Sequence, residues 1–344
     1  MEVERGTKSP TANSVTEVMQ SIDEQVRSGV AQEFRNIATG FRELDVAVGG
    51  GLKVGQLVLL GGHPGVGKTT FALQMARNMA ATGQFACLYV CFEHEPDYMV
   101  QRLICMESVG KGDGMPGDGL RIRDIAEMVN ENALAGANSR PLGLREVLLK
   151  DARGARALER LSRYGQRLLI AKGSSTTTVE DMRDMVRKMR ATGGVAGGRP
   201  VVLFVDYLQK VATDISHNNE AARNTEQVEG LKEMALSDQI LVVSVVAADT
   251  EGVKARRLRL GHFLTSTSVV YEADIMMIMN EEYNILDQRH AAYNPHNAEQ
   301  LRQYVVLSLE KNRAGSDLID LEFRKQLQFC CFRPDARRVK ENLI

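Results

Sequence analysis

The residues with the clearest chemical meaning are Gly62-His63-Pro64-Gly65-Val66-Gly67-Lys68-Thr69, followed by Thr70. They match G-x-x-x-x-G-K-[ST] in full, after an apolar run ending at Leu60 and before the helical pattern Phe71, Ala72, Met75, Ala76, Met79. A strand, a glycine-rich turn and a helix in that order are the context the motif requires. The glycines let backbone N–H groups turn inward on phosphates, Lys68 is suited to the β and γ oxygens, and the Thr69 hydroxyl to Mg²⁺. The chemistry implied is binding of Mg²⁺·ATP over residues 62 to 70.

A magnesium-linked carboxylate should close another buried strand, and Val201-Val202-Leu203-Phe204-Val205-Asp206 ends a continuous apolar run on an acid. Strand-end aspartates often do no more than cap the next turn, but beside a phosphate loop the metal-linked role is favoured. Hydrolysis also needs a group to orient or activate water. Glu93 follows the run Phe85 to Phe92, the first after the phosphate-loop helix, with His94 and Glu95 as competitors.

The elements that must hold these residues read as an α/β fold. From Ala38 onward, apolar strand-like runs alternate with helical patterns, which specifies a mostly parallel central sheet flanked by helices. Seven strands are expected: Gln56 to Leu60, Phe85 to Phe92, Arg167 to Ala171, Val201 to Asp206, Ile240 to Val246, Ala273 to Met279 and Gln303 to Leu309. Between about 110 and 165 the pattern weakens into a glycine-rich loop and short, arginine-rich helical stretches, read as an insertion on the sheet's rim. Ahead of the main domain, Ser14 to Ser28 carries Val15, Val18, Met19, Ile22 and Val26 on one helical face, with capping-box spacing between Ser14 and Glu17 and a stop at Gly29. So short a helix is marginal alone and needs a surface, on its own domain or on a neighbouring subunit. The resulting division is a disordered tail over 1–13, a linker helix and connection over 14–36, and one large domain over 37–344.

Composition narrows the class. With 344 residues, 44% hydrophobic and 25% charged, and a net charge of −1, the chain is an ordinary globular one with no overall pull toward nucleic acid or membranes. The five cysteines lack paired C-x-x-C spacing and sit mostly in apolar runs, so packing in a reducing, cytoplasmic setting is expected rather than a zinc site. No run approaches the roughly 18 apolar residues of a membrane span.

Several further blocks, in order, resemble the C-terminal RecA-like motor domain of the DnaB-type replicative DNA helicases. Thr39-Gly40-Phe41-Arg42-Glu43-Leu44-Asp45 looks like that family's opening motif, and Phe92-Glu93 falls where it keeps a catalytic glutamate. Asp206-Tyr207-Leu208-Gln209 matches its D-Y-L-Q Walker B block, and Leu231 to Ala235 its helix before the sensor strand. Glu272-Ala273-Asp274-Ile275 and Lys311-Asn312-Arg313-Ala314-Gly315 resemble its late strand and K-N-R-x-G motif. The resemblance runs from about Ser14 to Phe332, without the insertion. It implies a RecA-like P-loop NTPase core, ATP and Mg²⁺ as cofactors, and self-assembly into a hexameric ring in which Ser14 to Ser28 docks on a neighbour. It also implies that Lys311 and Arg313 reach the adjacent subunit's nucleotide, Arg313 as an arginine finger. About a dozen residues precede the first helix, so the family's separate N-terminal helical domain is expected to be absent and another protein to take its place.

Two blocks depart from the family. Its S-Q-L-N-R, whose glutamine links phosphate state to nucleic acid, is here Ser244-Val245-Val246-Ala247-Ala248, and valine cannot make that hydrogen bond. The following DNA-facing loop reads His262-Phe263-Leu264-Thr265-Ser266-Thr267-Ser268, without the family's arginine, glutamate and glycine. Just before it, Lys254, Arg256, Arg257 and Arg259 concentrate positive charge, which could neutralise the phosphates of single-stranded DNA or form a solvated basic loop. The leading expectation is an oligomeric ATPase that moves on or unwinds single-stranded DNA. A DnaB-derived ATPase that switches a protein assembly without unwinding comes next. A small-molecule kinase is third, since no lid or acceptor pocket is legible.

Overall fold

A computed structural model describes residues 12–28, 36–110, 118–135, 142–191, 194–213, 220–263, 271–285 and 299–339. The chain divides into two units, Met1–Arg35 and Asn36–Ile344. The expected stop at Gly29, residues 111–117 of the glycine-rich loop read over 111–119, and the segment 264–268 lie outside the described residues.

In the first unit, helix α1 (Val15–Arg27) begins as the sequence predicts. Ser14 Oγ accepts from the Glu17 N–H at 3.2 Å, while the Glu17 carboxylate accepts from the Ser14 N–H at 2.6 Å. Val15, Val18, Met19 and Val26 are exposed, and no residue of the helix is buried. In the second unit, nine strands form one sheet: β1 (Leu57–Gly62), β2 (Ala86–Cys91), β3 (Leu168–Lys172), β4 (Val201–Asp206), β5 (Leu241–Ala247), β6 (Ile275–Glu281), β7 (Tyr304–Asn312), β8 (Ile319–Gln326) and β9 (Cys331–Val339).

Their order is β3-β2-β4-β5-β1-β6-β7-β8-β9. The first six run parallel, and β7, β8 and β9 continue antiparallel. β1, β2 and β4 are buried along their whole length, which is why they read as unbroken apolar runs. Their side chains alternate between two cores. Val58, Leu60, Cys87, Tyr89 and Phe204 join the layer under α3 (Lys68–Ala81), whereas Leu57, Leu59, Leu203 and Val205 join the layer under α8 (Val179–Arg190) and α9 (Glu220–Ser237). Phe41, which precedes α2 (Arg42–Ala47), stacks on Phe71 at 4.4 Å between ring centroids, and both meet Phe323 edge-on at 5.3 Å, joining the opening motif, α3 and β8.

The segment expected as an insertion holds α5 (Ile122–Ala135), α6 (Leu144–Leu149) and α7 (Ala152–Ser162). With α4 (Pro96–Ser108) they enclose a small core of Ile104, Cys105, Leu120, Ile125, Leu148, Ala157 and Cys330. All five cysteines are buried and free. Among the described residues no helix is long and apolar enough to cross a membrane.

Candidate functional site

β1 sits between β5 and β6 and delivers Gly62 to the carboxyl end of the parallel strands, where the chain turns into α3 at Lys68. The turn depends on glycines with positive φ, +79° at Gly65 and +105° at Gly67. At Gly67 a side chain is excluded twice over, because a Cβ there would lie 2.8 Å from the Phe332 ring. The first amides of α3 have no helical carbonyl partner, which leaves them available to an anion.

A cavity of about 480 Å³ opens over this turn. Pro64, Gly65, Gly67, Lys68, Thr69 and Thr70 line it from the loop, Glu93 from beyond β2, and Asp206 from the end of β4. β2 and β4 pair in parallel with Cys91 beside Asp206, so Glu93 stands two residues past the aspartate's level. Neither His94 nor Glu95 lines the cavity: the His94 ring packs against Tyr98 at 4.9 Å, and Glu95 pairs with Lys172 at 2.9 Å. Gly62, His63 and Val66 shape the loop from outside the cavity. Val66 is core, and His63 is half-buried with its Nε2 unbonded among the described residues.

Lys68 Nζ donates to the carbonyls of Gly62 and His63 at 2.9 and 3.0 Å. Burial lowers its pKa, and Asp206 and Glu93 work against that shift, so the carboxylates help keep the ammonium charged. Asp206 is 2% exposed, and its Oδ2 accepts from Tyr89 Oη at 2.8 Å. Burial raises its pKa, while the hydroxyls of Tyr89 and Thr69 favour the carboxylate. A hydroxyl and a carboxylate side by side, both hard oxygen donors, suit Mg²⁺. Ammonium, loop amides and oxygen donors therefore fit a metal-bound triphosphate.

Arg102 was not singled out by the sequence. It lines the cavity from α4, its Nη1 donating to Thr70 Oγ1 at 3.2 Å and its guanidinium 5.0 Å from the Tyr98 ring centroid. Its Nε is buried without a hydrogen bond, and among the described residues it has no ion pair. The readable signal was the one-turn spacing of Tyr98 and Arg102 on a helix starting just after Glu93.

Lys311 and Arg313 lie at the opposite end of the sheet. Met276 pairs with Lys311 at the start of β6, whereas the phosphate-loop end of β1 is level with Met279. At about 3.3 Å per residue, the two ends are on the order of 10 Å apart along the strands alone. Both cations donate to the Tyr271 carbonyl, and Arg313 also pairs with Asp274 at 3.4 Å. Asp274 is a hub the sequence did not mark as one. Its Oδ2 accepts from the Leu57 N–H at 2.8 Å and from Lys232 Nζ at 2.7 Å.

The four basic residues expected to meet nucleic acid separate into two kinds. Arg257 pairs with Asp320 at 2.7 Å and Arg259 with Glu310 at 2.7 Å, so both face carboxylates of the antiparallel strands. Lys254 and Arg256 are exposed, Lys254 beside an equally exposed Glu251. Val245 lines the cavity, with Ala247 after it.

DnaB, the replicative DNA helicase of Rickettsia bellii, is 26% identical over 271 residues, covering 78% of this chain. The chain spans 49% of that relative's length. The solved ATPase domain of G40P superposes with a TM-score of 0.69 at 18% identity, covering 94% of this chain and 99% of that one. A DnaB-like replicative helicase, solved in a study of its interactions with primase, gives a TM-score of 0.66 at 17% identity, over 94% of this chain and 68% of that one. The family model of the DnaB-like helicase C-terminal domain matches residues 36–330, so this chain belongs to that family.

Proposed function

We propose that this chain is an ATP-hydrolysing motor that works as an oligomer, a hexameric ring, on single-stranded DNA. The observation that carries the proposal is the split of the machinery between the two ends of one sheet. Lys68, Thr69, Glu93 and Asp206 converge on one cavity, while Lys311 and Arg313 stand at the far end of the sheet and do not line it. A head-to-tail neighbour would bring the second set to the first.

Thr69 and Asp206 are the donors that would hold Mg²⁺, which when bound neutralises phosphate oxygens. Lys68 exchanges its two carbonyl partners for phosphate oxygens and Arg102 supplies a second cation from α4. Glu93 orients the attacking water and accepts its proton as the bond to the γ-phosphorus forms and the β–γ bridge breaks. Arg313 of a neighbouring copy stabilises the charge spreading over the transferred group, a contribution of about 10³ to 10⁵ in rate in comparable NTPases.

A second reading, an ATP-driven switch of a protein assembly that does not unwind, is favoured by Val245 at the cavity and by the neutralised Arg257 and Arg259. Primase, which accompanies one structural neighbour, illustrates the kind of protein partner either reading admits. The deciding experiment measures ATP hydrolysis with and without oligo(dT), fork opening and assembly state, beside Lys68→Ala. Hydrolysis stimulated by oligo(dT), salt-sensitive binding and fork opening are expected, all lost in Lys68→Ala. Nucleotide-dependent assembly without DNA binding would replace the first reading with the second.

A further inference from the structure

One residue before the phosphate loop, Gly61 lies directly under an aromatic ring. A Cβ built on it would sit 2.4 Å from Phe263 Cε1 and 2.6 Å from Cζ, distances no side chain tolerates. Gly61 does not have positive φ, so nothing in its backbone conformation demands glycine. The ring demands it. Phe263 is 4% exposed and closes a short 3₁₀ helix, Leu260–Phe263.

The segment bearing Phe263 is braced from end to end. Asp249 caps α10 (Thr250–Lys254) through the Gly252 N–H at 2.6 Å, and its own N–H donates to the His262 carbonyl at 2.9 Å. The Asn280 carboxamide bonds both backbone groups of Leu258, at 2.6 and 3.1 Å. Arg257 and Arg259 tie the segment to Asp320 and Glu310. Its near end is fixed as well, because Gln209, three residues after Asp206, exchanges hydrogen bonds with the Ala247 backbone at 3.1 and 3.2 Å. Residues 247–263 thus form a stiff strap anchored at both ends beside the nucleotide cavity. The exposed cations Lys254 and Arg256 ride on it.

We infer that Phe263 is a positioning residue for the phosphate loop, and that its contact with Gly61 couples nucleotide occupancy to a polyanion held at Lys254 and Arg256. The inference rests on the nucleotide reading of the cavity. A nucleotide that draws the Lys68 ammonium off the Gly62 carbonyl releases the backbone adjoining Gly61, and a ring in contact with that backbone must follow its shift, because packed interiors move between discrete arrangements rather than deform smoothly. The Val245 side chain has no polar atom with which to do this, whereas Phe263 needs none. Coupling of this kind is reciprocal: whatever the polyanion does to nucleotide affinity, nucleotide does to polyanion affinity by the same factor.

The test uses the full chain with Mg²⁺, a fluorescent non-hydrolysable ATP analogue and oligo(dT), in the unsubstituted protein, Gly61→Ala, Phe263→Leu and the double variant. In the unsubstituted protein the analogue should slow hydrogen exchange over Leu258–Phe263, and oligo(dT) should change its affinity by about 5-fold or more, the usual lower bound for coupled sites. Each single variant should lose that coupling, with kcat in the presence of oligo(dT) falling further than KM rises. The double variant, in which a smaller side chain meets the added methyl, should regain it. A passive packing role would lower melting temperature without moving the coupling factor. Should Gly61→Ala not fold, Phe263→Leu, which adds no clash, carries the same expectation. Analogue binding that leaves exchange over Leu258–Phe263 unchanged, or coupling intact in folded single variants, overturns the inference and leaves the ATPase reading standing. Absence of analogue binding overturns both. If the analogue binds and oligo(dT) does not, the DNA reading fails and with it the polyanion half of the inference, while exchange decides the positioning half.

Discussion

Asp206 is held between opposed influences, and its partner Tyr89 offers a way to shift the balance. Burial pushes the carboxyl's pKa up, and the phenol's hydrogen bond pulls it down. Tyr89→Phe removes the pull while leaving the ring stacked on Phe204, so the pKa rises further and metal binding fails at a higher pH. The acid limb of the pH profile of kcat/KM should move upward in this variant, with little change on the alkaline side. An unmoved acid limb would mean that another group sets it. At Glu93 the expectation differs: Glu93→Gln keeps the shape and the nucleotide affinity but cannot take a proton, so hydrolysis should fall by about 10² or more, within the general-base range, with analogue binding intact. These residues were legible because each belongs to a local pattern, a loop consensus or an acid at a strand end. Arg102 belongs to no such pattern and enters the cavity only through the placement of α4. The carboxylates paired with Arg257 and Arg259 were equally illegible, since they lie 63 and 51 residues away in sequence.

The buried parallel strands were readable because continuous apolar runs have no other stable home in an α/β chain, and all seven expected strands are present. β8 and β9 were missed. Ile319, Leu321 and Phe323 alternate with Asp320, Glu322 and Arg324, a period-two pattern whose polar half masks it in a search for apolar runs. β9 carries Pro334 and three arginines, tolerable because it is the sheet's edge. Two elements allow quantitative checks. Asp151 caps α7, accepting from the backbone N–H groups of Arg153 and Gly154, and Arg153's guanidinium holds its pKa down at about 2. Because the folded value lies below the ordinary one, this stabilisation is complete above about pH 4 and fades as pH falls toward 2. Asp151→Ala should cost about 1 kcal/mol at neutral pH, the usual value of an N-cap, and the difference from the parent should shrink in acid melts. The cost at Asp274 should be larger. Asp274→Ala strands the nearly buried Lys232 ammonium and the Leu57 N–H at the foot of β1, and removing one partner of such a pair costs about 3–5 kcal/mol. Urea denaturation of the two variants side by side would order them.

At the scale of the whole molecule, the sheet's polarity carries the main consequence. A parallel sheet places every strand's carboxyl end on one rim, so the phosphate loop, Glu93 and Asp206 had to meet there once the strand order was set. The antiparallel return of β7 puts Lys311 and Arg313 on the other rim for the same reason. A single chain cannot fold one rim onto the other, so the proposed site that uses both would be assembled between copies. Mixing two inactive variants tests this directly. Lys68→Ala keeps Arg313 but cannot hold phosphates, and Arg313→Ala keeps the loop but offers its neighbour no cation. In an equimolar mixture about a quarter of head-to-tail interfaces join an intact loop to an intact finger. Hydrolysis should therefore reappear on mixing and grow with subunit exchange. It should stay absent when either protein is mixed with the Lys68→Ala/Arg313→Ala double variant at equal total concentration, except where single-variant background remains. A mixture no more active than the sum of its parts, while subunit exchange is verified by a fluorescence label, would place Arg313 outside the hydrolytic site and leave its ion pair with Asp274 as its whole role.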